Sequence, residues 1–340
     1  MQRCFYFAKA DFPRFFELMR SFGPVHAPVA VSSASSSFMP VSGVDQINMQ
    51  ALRTILPPKK LFYPPQEPLV SFSEAGFEQT APDTAPQVLF GVHPCDLAGL
   101  AILDKIFVAH PGDAHYMSRR QSTLVVGLSC LPDPNCFCTS MGCGGAPARG
   151  FDLFLTDLDK GYFVQVGTPA GLSLLSPAYE YIRPAKTEQT DQYKEFWQKR
   201  EECFVSGFQG DNLPAIMDVE SDHPMWQELG SRCLSCGNCV MVCPTCYCFD
   251  MVDTLSLSGT CGERCRQWDG CQFNGFAKVA GDFNFRATAV ERYKFWFRHK
   301  LHGFEDPYGD KTCVGCGRCR VSCPADIDRI VEMVPRLAGK

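Results

Sequence analysis

Two cysteine runs of the same spacing constrain this chain more than any other feature. The first is Cys233-x2-Cys236-x2-Cys239-x3-Cys243-Pro244, and the second is Cys313-x2-Cys316-x2-Cys319-x3-Cys323-Pro324. In such a run three thiolates wrap one iron–sulfur cube, and the fourth cysteine, at the start of a following helix, reaches the other cluster. The spacing assigns Cys233, Cys236, Cys239 and Cys323 to cluster 1, and Cys313, Cys316, Cys319 and Cys243 to cluster 2, both [4Fe–4S]. Gly237 and Gly317 follow the second ligand, where backbone must pass close to sulfide. Zinc is the competing reading, but it commonly takes its ligands as two pairs rather than as a triplet with a trailing Cys-Pro.

The chain has 340 residues, of which 20 are cysteine, a net charge of -5 and 45% hydrophobic content. That length fits two domains better than one. The charge balance supplies no dense basic face of the kind nucleic acid requires. The N-terminus shows no secretory signal, and no run of 18 or more apolar residues occurs that could span a membrane. So many thiols without an export signal point to a reducing cytoplasm and to metal ligation rather than disulfides.

Short apolar segments alternate with Pro- and Ser-rich breaks over residues 1–85. A helix is expected over 11–19, with Phe12, Phe15, Phe16 and Met19 on one face. Residues 88–92 and 123–128 read as buried strands with a helix at 97–107 between them, a β-α-β-like unit. A further strand is expected at 162–166, after a turn at 159–161. A helix at 191–203 carries Tyr193, Phe196 and Trp197, and 205–222 reads as a linker. The expected fold class is α+β. An N-terminal α/β-type domain (1–205) precedes a mostly helical dicluster ferredoxin-like domain (220–340) with a long insert at 244–312. Helix-compatible sequence at 290–300 supports that description of the insert. Aromatic residues about it, Phe285, Tyr293, Phe295, Trp296 and Phe297, read as core packing, with a docking face as the alternative.

A second group of thiols lies in the N-terminal part: Cys95, Cys130, Cys136 and Cys138. If the two buried strands are parallel neighbours, Cys95 and Cys130 emerge at the same carboxyl edge, where ligand sites of α/β sheets form. The loop 131–138 then brings two more thiols there. A third [4Fe–4S] cluster, zinc, and ordinary buried cysteines all remain open for this group. Asp96 reads as an acidic residue at a helix N-terminus, with oxygen ligation as the alternative. Cys143 could compete as a ligand. Cys246 and Cys248 follow Cys243 closely and would pack beside cluster 2. Cys261, Cys265 and Cys271 form no set, and Cys4 and Cys203 read as structural.

With these motifs in hand, the chain resembles the iron–sulfur subunit family that includes the A subunit of anaerobic sulfite reductase and the beta subunit of sulfhydrogenase-type NiFe hydrogenases. The resemblance rests on His93-Pro94-Cys95-Asp96, Asn135-Cys136-Phe137-Cys138-Thr139-Ser140-Met141-Gly142, Arg232-Cys233-Leu234-Ser235-Cys236-Gly237, Cys243-Pro244-Thr245-Cys246-Tyr247-Cys248, Gly262-Glu263-Arg264-Cys265-Arg266-Gln267-Trp268 and Cys313-Val314-Gly315-Cys316-Gly317. It implies a non-catalytic electron conduit between a flavin- and NAD(P)-binding partner and a catalytic or relay subunit, and it favours the third cluster. FAD and NAD(P) are expected on a partner only, since no Gly-x-Gly-x-x-Gly follows a strand and no Walker motif occurs. Two other readings compete. One is a self-sufficient oxidoreductase whose N-terminal site would use His93, Asp96, His110, His115, Arg119 and Arg120. The other is an iron–sulfur redox sensor.

Overall fold

The structure, a computed structural model, describes residues 4–109, 111–209, 212–302, 311–327 and 330–339. His110 lies outside the described residues.

The centre of the molecule is a mixed sheet. Its strands are β1 (Cys4–Ala8), β2 (Val25–Ala30), β3 (Ser36–Val41), β6 (Gln87–Val92), β7 (Thr123–Leu128), β8 (Leu153–Leu158), β9 (Gly161–Val166) and β10 (Arg183–Pro184). They lie in the order β10-β1-β9-β8-β7-β6-β2-β3. The pairs β2–β6, β6–β7 and β7–β8 are parallel, and the flanking pairs are antiparallel. β6 and β7 are therefore the parallel neighbours that the shared-edge argument required.

Both faces of this sheet are covered, so its central strands are uninterrupted apolar runs rather than alternating ones. Val88, Phe90, Leu124 and Val126 face one core, with Phe12, Phe15, Phe16 and Met19 of helix α1 (Phe12–Phe22). Leu89, Val92 and Val125 face the other, with Leu100 and Leu103 of α2 (Pro94–Phe107), Tyr116 of α3 (Ala114–Ser122) and Trp197. Helix α4 (Pro169–Leu175) closes the first core, and α5 (Thr187–Glu202) carries Trp197 to the second. Helix α2 begins three residues earlier than expected because Pro94 occupies its first turn, where a missing N–H costs nothing. Cys95 thus stands inside that first turn.

The C-terminal half is built on a helical core. Leu213 and Met217 of α6 (Leu213–Val219) and Trp226 and Leu229 of α7 (Met225–Ser231) pack with Tyr293, Trp296 and Phe297 of α9 (Ala289–Leu301). Met333 and Val334 of the helix Ile330–Leu337 complete it. Two expectations about this half are corrected. Residues 205–222 are not only a linker, since α6 lies there with Leu213 and Met217 buried. Pro214 sits in the first turn of α6, so it opens the helix rather than breaking it.

The insert is also less helical than expected. It contains β11 (Phe249–Leu255) and β12 (Cys261–Trp268), which join β4 (Gln66–Ser73) and β5 (Gly76–Gln79) in a four-stranded antiparallel sheet, order β11-β12-β4-β5. That sheet unites segments from both halves of the chain. Arg266 of β12 anchors it, pairing with Glu67 of β4 and with Asp113 ahead of α3. The aromatic stripe of α9 is core, as its periodicity suggested: Tyr293, Trp296 and Phe297 are buried, while Phe285 stands exposed before the helix.

Candidate metal centres

Each cysteine run forms a loop that ends in a short helix: α8 (Asn238–Met241) in the first run and Arg318–Val321 in the second. Gly237 and Gly317 cap these helices in the left-handed conformation. The two short helices lie together, and Asn238 Nδ2 donates to Ser322 O at 3.0 Å. This puts each run's trailing cysteine beside the other run's loop.

Cys243, Cys313, Cys316 and Cys319 line one small pocket, together with Phe137, Trp296 and Lys300. These are the four residues assigned to cluster 2. Burial raises the thiol pKa of Cys313 to about 12, and that of Cys319 well above the ordinary value, with neighbouring thiols adding to the latter. Thiols so placed resist ionising alone and call for a positive partner, which a bound iron–sulfur core supplies. Cys233 and Cys236 stand near Cys239, and burial raises Cys239 as well, with Cys271 the strongest neighbouring contributor. Cys233, Cys239 and Cys323 pack against the same helical core. Cys271 is buried against that core too, a neighbour that the spacing argument left out.

The N-terminal thiols converge as the sheet dictates. Cys95 comes from the first turn of α2 and Cys130 from just past β7, while Cys136 and Cys138 come from the loop beyond. Cys95, Cys136 and Cys138 are buried in one cluster with Val314 and Cys316 of the second run. Cys138 hydrogen-bonds to Cys136, which holds the Cys136 thiol down at about 7, aided by Arg53 after burial has acted against it. Arg53 reaches Cys136 Sγ at 3.0 Å, pairs with Asp133, and donates from Nε to Cys316 O at 2.7 Å. Arg200 is buried beneath Cys130, donating to its carbonyl at 2.7 Å. Neither arginine was singled out from the sequence; Arg200 falls on the buried face of α5 beside Trp197, and that phase was its one signal.

The N-terminal group and the second run touch through their backbones. Phe137 N donates to Gly315 O at 2.9 Å, and a Cβ on Gly315 would come within 2.5 Å of Phe137 O. A Cβ on Gly317 would meet Asn135 O at 2.4 Å. Helix α2 also lies close to the first run's end, where a Cβ on Gly99 would stand 2.9 Å from Pro244 Cβ.

The remaining candidates have structural partners. His93 is buried with Nδ1 2.9 Å from Leu128 O and Nε2 2.9 Å from Ala51 O. Both carboxylate oxygens of Asp96, in the first turn of α2, accept from Arg318 at 2.6 and 2.8 Å. Arg119 pairs with Glu67 and Arg120 with Asp104. His115 lies half-buried on α3. Cys246 is buried and hydrogen-bonds to Cys243. Cys143 lies near Cys95 and Cys313, Cys265 is buried in β12, and Cys203 and Cys261 are exposed. None of the 20 cysteines forms a disulfide. Among the described residues no three His, Cys, Asp or Glu side chains are gathered tightly enough to hold a single metal ion, and no helix is long and apolar enough to cross a membrane.

The paired cysteine runs mark the dicluster class of iron–sulfur proteins, and residues 232–327 match the family model described as a 4Fe-4S dicluster domain. Over 321 residues, 94% of each chain, this protein is 36% identical to sulfhydrogenase 2 subunit beta of Pyrococcus furiosus. The chain belongs to the family of sulfhydrogenase beta subunits. Its iron–sulfur chemistry is electron transfer.

Proposed function

We propose that this chain is the relay subunit of a multisubunit anaerobic oxidoreductase, with three [4Fe–4S] clusters in a row. Cluster 1 is assigned to Cys233, Cys236, Cys239 and Cys323, and cluster 2 to Cys313, Cys316, Cys319 and Cys243. Cluster 3 is assigned to Cys95, Cys130, Cys136 and Cys138. Each cluster, when bound, takes and gives one electron at a time. The observation that carries the reading is the docking of loop 135–138 on residues 315–317, which makes the N-terminal thiols neighbours of the second run. A free carrier has no use for that contact, whereas a relay does.

Flavin and NAD(P) belong to a partner chain, because the nucleotide fingerprints are missing from this one. The catalytic site, hydrogenase in type as in the sulfhydrogenase relative or one that reduces sulfite, belongs to another. A reducing cytoplasm suits a chain whose cysteines form no disulfide. The self-sufficient enzyme is disfavoured by the partners of its would-be acid–base groups. His93, Asp96, Arg119 and Arg120 are each engaged in internal bonds.

Iron and acid-labile sulfide in anaerobically purified protein test the assignment. About twelve irons per chain support three clusters, and about eight overturn the third. In C136S/C138S about four of the twelve should be lost, with the C-terminal pair retained. Zinc in their place would make the N-terminal group a structural metal site instead.

A further inference from the structure

Two lysines are almost fully buried beside the end of the first run. Lys59 comes from the turn Pro58–Leu61 and Lys300 from the last turn of α9; they are 2% and 1% exposed. A buried ammonium is costly unless something nearby carries negative charge. Lys59 Nζ donates to Cys246 O at 2.6 Å, and Lys300 Nζ donates to Thr245 Oγ1 at 2.8 Å and to the Cys246 side chain. Lys59 also lies over the Trp268 ring, 4.1 Å from its centroid. Cysteine side chains stand near both: Cys243 and Cys246 beside each lysine, with Cys248 by Lys59 and Cys313 by Lys300. Lys300 lines the same pocket as Cys243, Cys313, Cys316 and Cys319. The Thr245 hydroxyl between them lies 3.2 Å from Cys243 Sγ and 2.5 Å from Thr312 O, so it ties Lys300 to the ligand loop on both sides.

We infer that Lys300, supported by Lys59, is the positioning charge of the second centre, making cluster 2 easier to reduce than it would be without the two lysines. The inference rests on the assignment of cluster 2 to Cys243, Cys313, Cys316 and Cys319. Reduction adds one electron to a thiolate-ligated core and makes or breaks no bond; the electron comes from the low-potential chemical reductant of a titration. A fixed positive charge in a dry site favours the form carrying the extra negative charge. The N-terminal group has a buried cation of its own, Arg200, 3.6 Å from Cys130 Sγ, which a change at Lys300 leaves in place.

A redox titration of the loaded full-length chain, followed by EPR, tests this. In Lys300→Met the oxidised-to-reduced ratio of one centre at fixed potential should rise about tenfold, a fall of about 59 mV for one electron. The other potentials should stay in place. Lys59→Met should move the same centre in the same direction by less, and Lys300→Arg should leave it near the wild type. A full iron content with no potential moved overturns the inference alone, as does an equal shift of every centre. Fewer than about eight irons in the wild type overturns the assignment and the inference together. Should Lys300→Met lose iron, Lys59→Met decides: an unmoved potential overturns the inference, and a fall confined to one centre supports it.

Discussion

Arg318 and Asp96 form a two-bond ion pair, at 2.6 and 2.8 Å, in which each side chain is 3% exposed. It links the first turn of α2, where Cys95 stands, to the short helix that carries Cys319. Its position places a satisfied charge pair between the N-terminal thiols and the second run. Removing one partner would leave the other charged and buried. Arg318→Met should cost about 3–5 kcal/mol, and the double variant Asp96→Asn/Arg318→Met should recover much of it. Anaerobic denaturant unfolding of the two variants checks this; equal losses would show that the pair is not coupled.

Gly315 should tolerate a side chain far less well than the equivalent Ser235 in the first run. Both have positive φ, 65° and 49°. Only at Gly315 does a Cβ run into the backbone of 137–138. Gly315→Ala should lose more than about 2 kcal/mol of stability, and Ser235→Ala about 1 kcal/mol through its bond from Arg292. Comparable losses in unfolding titrations would sink the idea that the two runs differ in this respect.

Acid should weaken the fold through His299. Burial, with Lys300 next to it, lowers its pKa from 6.5 to about 4. A histidine held neutral in the folded state refuses the proton that the unfolded chain accepts. Stability therefore falls as pH drops from about 6.5 to about 4, by up to about 3 kcal/mol, and is unaffected by this group above that window. The pH dependence of the unfolding midpoint should be flatter across that window in His299→Phe.

Helix α9 opens on a capping box: Thr288 Oγ1 accepts from Glu291 N at 3.2 Å, and Glu291 Oε2 accepts from Thr288 N at 2.8 Å. Thr288→Ala should cost about 1 kcal/mol. As the helix positions Lys300 at its far end, the denaturation midpoint should move while the iron content stays the same.

The parts of this fold legible in the sequence are those where one local rule was decisive. β6 and β7 read as buried strands because both faces of each are covered, which leaves unbroken apolar runs. The paired runs read as a two-cluster motif because ligand spacing is set by the cluster itself. β11 and β12 gave no such signal. Their residues are mostly exposed, and they are ordered by pairing with β4, close to two hundred positions earlier. The linker reading of 205–222 missed a helix because proline breaks a helix interior but suits its first turn, where Pro214 stands. Lys300 shares the buried stripe of Tyr293, Trp296 and Phe297, so its phase on the helix was available as a clue. That it lay beside Cys243 was not, since nothing local brings residues 243 and 300 together.

The two cysteine runs share a spacing but not a situation. Val314 is 2% exposed under the N-terminal loop, while Leu234, its counterpart, is 66% exposed; Cys316 is buried and Cys236 is not. One half of the duplicated motif is roofed and the other stands in the weather. Air then has an obvious place to begin its damage. A partner seated over Cys236 would be a shelter as much as a correspondent, and the isolated subunit should perish from that end first.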